Sequence, residues 1–396
     1  MTDKTPEKPV ENAVQTALLH SALRFVTPSG NGREEETSAK TGWPFPFVRT
    51  AKEFGTVLPG VAEPRLALDR AVDTKYAHSD PAFSGVLHVF CQTWKGIRAA
   101  AGSLPGRKLA VADSGALDRK EVAWFLGLLA RERISKVVFH GLPDMARTLI
   151  DCLAKAGASD MAYMVYHGNV AQWEERHERT AALAAIALAD SGKIKRLHFM
   201  QRDCPLAGDR AFVPMLFNPA PVHHSPVGSG GRQDDVIFLP GTNTWRKNLH
   251  VNALGGALSS RVSRVMHYAP DLVLPQPYDA KLRRASYTDR AATFGLMARV
   301  GCTLNVSLVE CHPMVGLESE SVGTPCLRGR LNLDAGDDHD YARLVQVEDP
   351  NSPYDVQRRL DDILVLPLPE RLEMIRDYTA QMDRRSLDRY KEFLEL

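Results

Sequence analysis

Long apolar runs are missing from this chain. The longest stretch, "TAALAAIALAD", falls well short of the roughly 20 residues that a membrane span needs. The opening residues, "MTDKTPEKPVENAVQ", carry no apolar core of the kind found in a secretory signal. Cysteine is scattered: Cys91, Cys152, Cys204, Cys302, Cys311 and Cys326 form no C-x-x-C pair, and their spread argues against a disulfide framework. They read as reduced thiols, mostly small buried apolar groups. An excess of one charge is also lacking. With 49 basic and 48 acidic side chains the net charge is +1, so no global field draws nucleic acid or an anionic membrane. The expectation is a cytoplasmic protein with no nucleic-acid partner.

What is present is organised. At 396 residues the chain exceeds one ordinary core, and two domains of about 150–200 residues are expected. Residues 1–82 form an N-terminal extension rich in turn formers and charge, "PSGNGREEETSAKTGWPFPF", expected to be partly ordered with helices near Val14–Phe25 and Arg65–Tyr76. From Gly85 short apolar runs alternate with amphipathic stretches: "GVLHVF", "KLAVAD", "KVVFHG", "MAYMVYHGN" and "KRLHFM" as strands, with helices between. Such alternation means parallel βαβ units and a doubly wound sheet over 83–218. The segment 219–234, within "NPAPVHHSPVGSGGRQDD", reads as a linker. Its His223 and His224 have no carboxylate or thiol partner at metal-site spacing, and no metal is expected there. The alternation restarts over 235–375, and 376–396 is a C-terminal helix. Two such sheets in tandem make a cleft between domains the natural ligand site.

The stretch "CTLNVSLVECHPMVGLESESVGTPCL" concentrates the chemistry. "CTLNVSLV" is near-continuous apolar, as a strand buried on both faces should be, and Glu310 stands at its carboxyl end. Pro313 suits the start of a helix, Gly323 its end, and Pro325 forbids continuation. Glu318 falls inside that helix. A solvated charge on a short helix is the plain alternative for either glutamate.

In this context the sequence resembles the retaining GT-B glycosyltransferases, particularly glycosyltransferase family 4, in which a strand leads to an E-x7-E motif followed by a glycine-proline turn. "FLPGTNTWRKNLHVNALGGAL" is similar to the family's Gly-Arg-x4-Lys loop, with Gly241 six residues before Lys247. Thr242 stands where the family usually has an arginine, and Arg246, next to Lys247, is a candidate substitute. The loop Cys311-His312-Pro313-Met314 replaces small glycine-rich residues, and Pro313 offers no N–H.

The resemblance implies two Rossmann-like doubly wound α/β domains facing across a cleft, the C-terminal helix crossing back to the first. It implies transfer, with retention, of a sugar from a UDP-, GDP- or dTDP-linked donor to a glycan, lipid-linked or protein acceptor. No obligatory cofactor or metal is implied, and no D-x-D cluster is placed to hold one. Lys247, with Arg246, would serve the diphosphate; Glu318 would take the nucleotide ribose, and Glu310 would sit nearer the sugar. Gly241, Thr242, His312, Met314 and Val315 complete the expected donor contacts. In the first domain Gly96, in "TWKGIRAAAG", would let the donor phosphate approach closely. His167, in "YHGN", would face the donor sugar, with His140 a competitor. Trp94 and Trp173 are read as core in preference to an acceptor platform. The helix "KEVAWFLGLLARERISK" is read as core-facing, with peripheral contact at the inner face of a membrane as its alternative. Two rivals stay open, a sugar-nucleotide epimerase and a catalytically weak binding or scaffold protein.

Overall fold

Short apolar runs bounded by turn residues become strands here, and the amphipathic stretches between them become helices, in two separate α/β units. The computed structural model describes residues 65–396 except 70–73, 116, 202–203, 205–210, 213–214, 224–230, 243, 332 and 334–337. The helix expected at Val14–Phe25, most of the extension 1–82, and His224 lie outside these residues. Described residues of Met1–Phe199, Cys204–Val213 and Lys391–Leu396 make the first unit; those of Met200–Asp203 and Pro214–Tyr390 make the second.

In the first unit β1 (Leu66–Leu68), β2 (Val86–Cys91), β3 (Arg107–Val111), β4 (Lys136–His140), β5 (Ala162–Tyr166) and β6 (Arg196–Phe199) form one sheet, in the order β1-β3-β2-β4-β5-β6. All neighbours are parallel except β1, which runs antiparallel to β3. The helix expected over Arg65–Tyr76 is thereby corrected at Leu66–Leu68, while Thr74 is helical. Leu66 and Ala67 are buried against the sheet edge, so edge pairing overrides a weak helical pattern. The crossovers are α1 (Lys95–Ser103), α2 (Arg119–Arg131), α3 (Asp144–Lys155) and α4 (Arg176–Asp190). A capping box starts α2: the Glu121 N–H donates to Asp118 and the Asp118 N–H to Glu121, at 2.8 Å each. Its Phe125, Leu126, Leu128 and Leu129 are fully buried in the core of this unit, as the core-facing reading requires.

The second unit contains β7 (Gln233–Leu239), β8 (Arg264–His267), β9 (Leu282–Arg284), β10 (Val300–Asn305) and β11 (Cys326–Arg328), all parallel, in the order β11-β10-β7-β8-β9. Its helices are α5 (Leu249–Leu258), α6 (Arg290–Met297), α7 (Met314–Ser321), α8 (Asp340–Val345), α9 (Pro353–Val365) and α10 (Leu368–Leu394). Residues read from the sequence as the end of the first domain and the start of a linker pack here. Phe217 is fully buried, its carbonyl accepts from Ser386 Oγ at 2.6 Å, and the Ala220 N–H donates to Asp383 at 2.6 Å. The last turn of α10 packs in the first unit, where Phe393 meets Tyr163 edge-on at 5.4 Å. Among the described residues no helix is long and apolar enough to cross a membrane.

Gly301 marks a tight spot in the second sheet. The β10–β7 register shifts between Val300 and Cys302, and a Cβ on Gly301 would sit 2.3 Å from the Asp234 carbonyl oxygen. Backbone cannot swing aside as a side chain can. Gly301→Ala is therefore expected to cost about 2–3 kcal/mol, read as a lower denaturation midpoint with an unchanged first-unit transition.

Both sheets have a point where strand order reverses. In the first it falls between β2 and β4, in the second between β7 and β10. The crevice outside the carboxyl ends of such strands is where open α/β sheets bind ligands.

Candidate functional site

At the reversal point of the second sheet two loops meet. The loop after β7 passes Gly241 and tightens into a 3₁₀ turn over Trp245–Lys247. The loop after β10 carries Glu310. The Leu308 N–H donates to the Arg246 carbonyl at 2.8 Å, which ties the loops together. Asn252, fully buried on α5, clamps the chain just past β10: its Oδ1 accepts from the Val306 N–H at 2.9 Å, and its Nδ2 donates to the Val306 carbonyl at 3.0 Å. This framework brings Lys247 Nζ into direct contact with Glu310 Oε1, while Arg246 Nη1 lies 3.7 Å from Oε2. The side chains of Glu310 and Lys247 are 12% and 15% exposed, so this is a half-sheltered cluster and not a surface pair.

Glu310 does not end the strand, and that expectation is corrected. β10 stops at Asn305, five positions earlier, because its partner β11 is only three residues long and Leu308 has turned to Arg246. Helix α7 forms where the sequence placed it, with Pro313 at its N-cap and Gly323 just past its end at φ +77°. Glu318 on α7 is not solvated. It pairs with Arg290 Nε at 2.9 Å, both side chains nearly buried, and burial raises its pKa against the opposing pull of Arg290. Arg290, the third residue of "TDRAATFG", went unread in the sequence; its only signal is its place after Asp289, the N-cap of α6.

The remaining donor-side residues divide. Gly241 packs closely, since an added Cβ would sit 3.1 Å from Leu249 Cδ2. Thr242 is exposed beside it. Met314 is buried and Val315 half-buried in the first turn of α7, where backbone N–H groups lack helical partners. His312 points elsewhere. Its Nδ1 accepts from the Asn218 N–H at 2.9 Å, its carbonyl accepts from Asn218 Nδ2 at 3.0 Å, and burial holds its pKa down at about 3. The structure brings Lys247, Arg246 and Glu310 together and leaves His312 as a tie to the chain before β7.

In the first unit Gly96 lies within the first turn of α1, not in a loop, and a Cβ there would meet nothing within 4 Å. Trp94 packs over Gly141, where a Cβ would sit 2.8 Å from the indole, and Trp173 packs on the first core. His167 follows β5 directly and its Nε2 lies 2.9 Å from His140 Nδ1, so the two competing histidines are bonded partners. Burial lowers the His167 pKa to about 3, which keeps the ring neutral. Among the described residues no three of His, Cys, Asp or Glu cluster as a metal site.

No family model and no curated protein matches the chain. Solved structures do. An α,α-trehalose-phosphate synthase (UDP-forming) from Burkholderia vietnamiensis is similar with a TM-score of 0.50 at 11% identity, over 79% of this chain and 100% of that one. A trehalose-6-phosphate synthase studied through bisubstrate glycomimetics of glycosyl transfer with retention gives 0.50 and 11%, over 79% and 99%. At that identity the likeness is one of fold. The chain has the GT-B fold class, built of two Rossmann-like α/β domains.

Proposed function

We propose that this chain is a retaining glycosyltransferase that takes its sugar from a nucleoside diphosphate donor held by the second unit. The observation that carries the reading is the Lys247–Arg246–Glu310 cluster at the reversal point of the second sheet. Breaking an anomeric C–O bond leaves a diphosphate and an oxocarbenium-like centre. Fixed cations stabilise the charge that develops on the leaving group, and Lys247 and Arg246 supply two. The N-terminus of α7, at Met314 and Val315, adds to the same field. Glu310 favours positive charge at the anomeric carbon and accepts from sugar hydroxyls. Glu318 gives one oxygen to Arg290, and a ribose hydroxyl would donate to the other. The E-x7-E spacing supports kinship with family 4.

The fold neighbours are named as UDP-forming enzymes that make a phosphorylated disaccharide, which favours uridine as the base and a sugar hydroxyl as the acceptor. Lipid-linked and protein acceptors come second. A binding-only protein is favoured by one observation, that Glu310 engages both cations while Thr242 stands where an arginine is expected.

Thermal shift with UDP, GDP and dTDP, followed by donor hydrolysis with sugars of the winning base, decides between them. The expected result is stabilisation by UDP and slow release of UDP from one UDP-sugar, reduced in Glu310→Ala. Stabilisation by nucleotide with no turnover of any donor would favour the binding protein; no stabilisation by any nucleotide would end the glycosyltransferase reading.

A further inference from the structure

Past Asn305, where β10 stops, Val306, Ser307 and Leu308 carry the chain on toward Glu310 outside any strand. Their backbone N–H groups each find an acceptor elsewhere, as sheltered donors must. That of Val306 donates to Asn252 Oδ1 at 2.9 Å, that of Ser307 to the Asn305 carbonyl at 2.8 Å, and that of Leu308 to the Arg246 carbonyl at 2.8 Å. Asn252 Nδ2 returns a bond to the Val306 carbonyl at 3.0 Å and gives a second to the Asn248 carbonyl at 2.8 Å. A side-chain amide thus pairs with Val306 as a neighbouring strand would, and holds the first turn of α5 at the same time.

The partners fix which way this amide faces. Val306 offers an N–H and a carbonyl, and Asn248 offers a carbonyl, so the oxygen must meet the N–H and the nitrogen the two carbonyls. Asn252 and Val306 are fully buried, so water does not replace these bonds. Leucine, of similar volume, makes none of them, and an aspartate cannot make both donations. The position along the chain gives the amide its reach. Asn248 directly follows Lys247, and Val306 stands four positions before Glu310. Both members of the ion pair therefore hang from one side chain, with the Leu308–Arg246 bond as a parallel tie.

We infer that Asn252 is a positioning residue: its buried amide sets the separation of Lys247 and Glu310, and with it the ion pair that an incoming ligand must enter. That the ligand is a diphosphate rests on the function proposed above; the positioning itself does not.

Two readouts on the full chain test this. The first needs no ligand. A water-soluble carbodiimide joins an amine to a carboxylate that touches it, and peptide mass spectrometry counts the Lys247–Glu310 amide. The unsubstituted protein forms this cross-link. Asn252→Asp, which keeps an acceptor for the Val306 N–H but not both donations, loses most of it, while the Lys193–Asp151 pair of the first unit, at 2.7 Å, joins as before. The second readout is donor cleavage in a double-mutant cycle. Asn252→Asp slows cleavage about 10- to 100-fold in the otherwise unsubstituted protein, as a small misplacement of reacting groups does. In a Lys247→Ala background, where the spacing of the pair no longer matters, the same substitution costs about twofold or less. A residue that only holds the fold would give the same factor in both backgrounds. No cross-link in the unsubstituted protein, an undiminished one in Asn252→Asp, or equal rate factors would each overturn the inference. If Asn252→Asp does not fold, Asn252→Ser is read in its place, since its hydroxyl is too short to span Val306 and Asn248 and leaves room for water. A cross-link lost with Asn252→Asp in a protein that turns over no nucleotide sugar supports the positioning and removes only the proposed function.

Discussion

Lys247→Ala is expected to slow donor cleavage by about 10²- to 10³-fold, the usual cost of removing a fixed group aimed at developing negative charge. Affinity separates this from a general loss of structure. Glu310 touches Lys247 and faces Arg246 at 3.7 Å, so an incoming diphosphate meets cations already shared with a carboxylate. Removing Lys247 leaves that carboxylate facing the diphosphate with one cation, and the dissociation constant for UDP should rise roughly tenfold or more. Glu310→Ala does the opposite. It frees both cations, so UDP should bind as tightly or more tightly while turnover of the UDP-sugar falls. The two variants therefore share a slow reaction and differ in the sign of their effect on nucleotide binding. Calorimetric titration with UDP at two salt concentrations reads this directly, since the cationic contribution is screened by salt. Weaker UDP binding in both variants would mean that Glu310 does not compete with the diphosphate, and the assigned roles would fail.

Much of this site was legible because local spacing fixes it. A buried strand, a proline-started helix and a glycine at positive φ put Glu310 and Glu318 in their order along the chain, while Gly241 and Lys247 came from the resemblance to a family loop. Their partners were not legible. Arg290 meets Glu318 only because α6 and α7 pack together, and nothing within 28 residues of sequence encodes that distance. The Asn252 clamp depends on α5 facing the end of β10, which a one-dimensional pattern does not contain. The buried histidines His88, His140 and His167 are the extreme case. They stand 52 and 27 positions apart, and only the strand order and register bring them within bonding distance. In the fold, most of the alternation of strands and helices was readable from β2 onward, but β9 (Leu282–Arg284) went unread and the strand at Leu66–Leu68 was misread, because three residues carry too little periodicity to outvote their neighbours.

The largest loss of stability is expected from Arg328→Met in the second unit. Glu320 on α7 is completely buried, with Arg328 Nη1 at 3.3 Å and the Tyr341 hydroxyl donating to the same oxygen at 3.0 Å. Arg328 in turn donates to the Tyr378 hydroxyl at 2.8 Å. Burial raises the Glu320 pKa to about 7 even against the pull of Arg328 and Tyr341. An unfolded glutamate titrates near 4.3. Between those values the folded state holds a proton that the unfolded state has released, so stability is full below the unfolded pKa and is lost as pH rises through about 7. Asp383, also raised to about 7 by burial, adds to the same trend. Removing Arg328 leaves Glu320 buried with no cation, a change that costs about 3–5 kcal/mol. The cost should be larger at about pH 8, where Glu320 must ionise or pay to stay protonated, than at about pH 5. Glu320→Gln should flatten the pH dependence, and the double substitution Arg328→Met with Glu320→Leu should recover most of the loss, because a buried pair and an apolar pair of similar volume are often equivalent. Chemical denaturation of the unsubstituted protein and of the three variants at both pH values reads these differences. A loss below about 1 kcal/mol for Arg328→Met at the higher pH, or a double substitution no better than the single one, would mean that water reaches Glu320 and that the carboxylate is not enclosed in the way its burial implies.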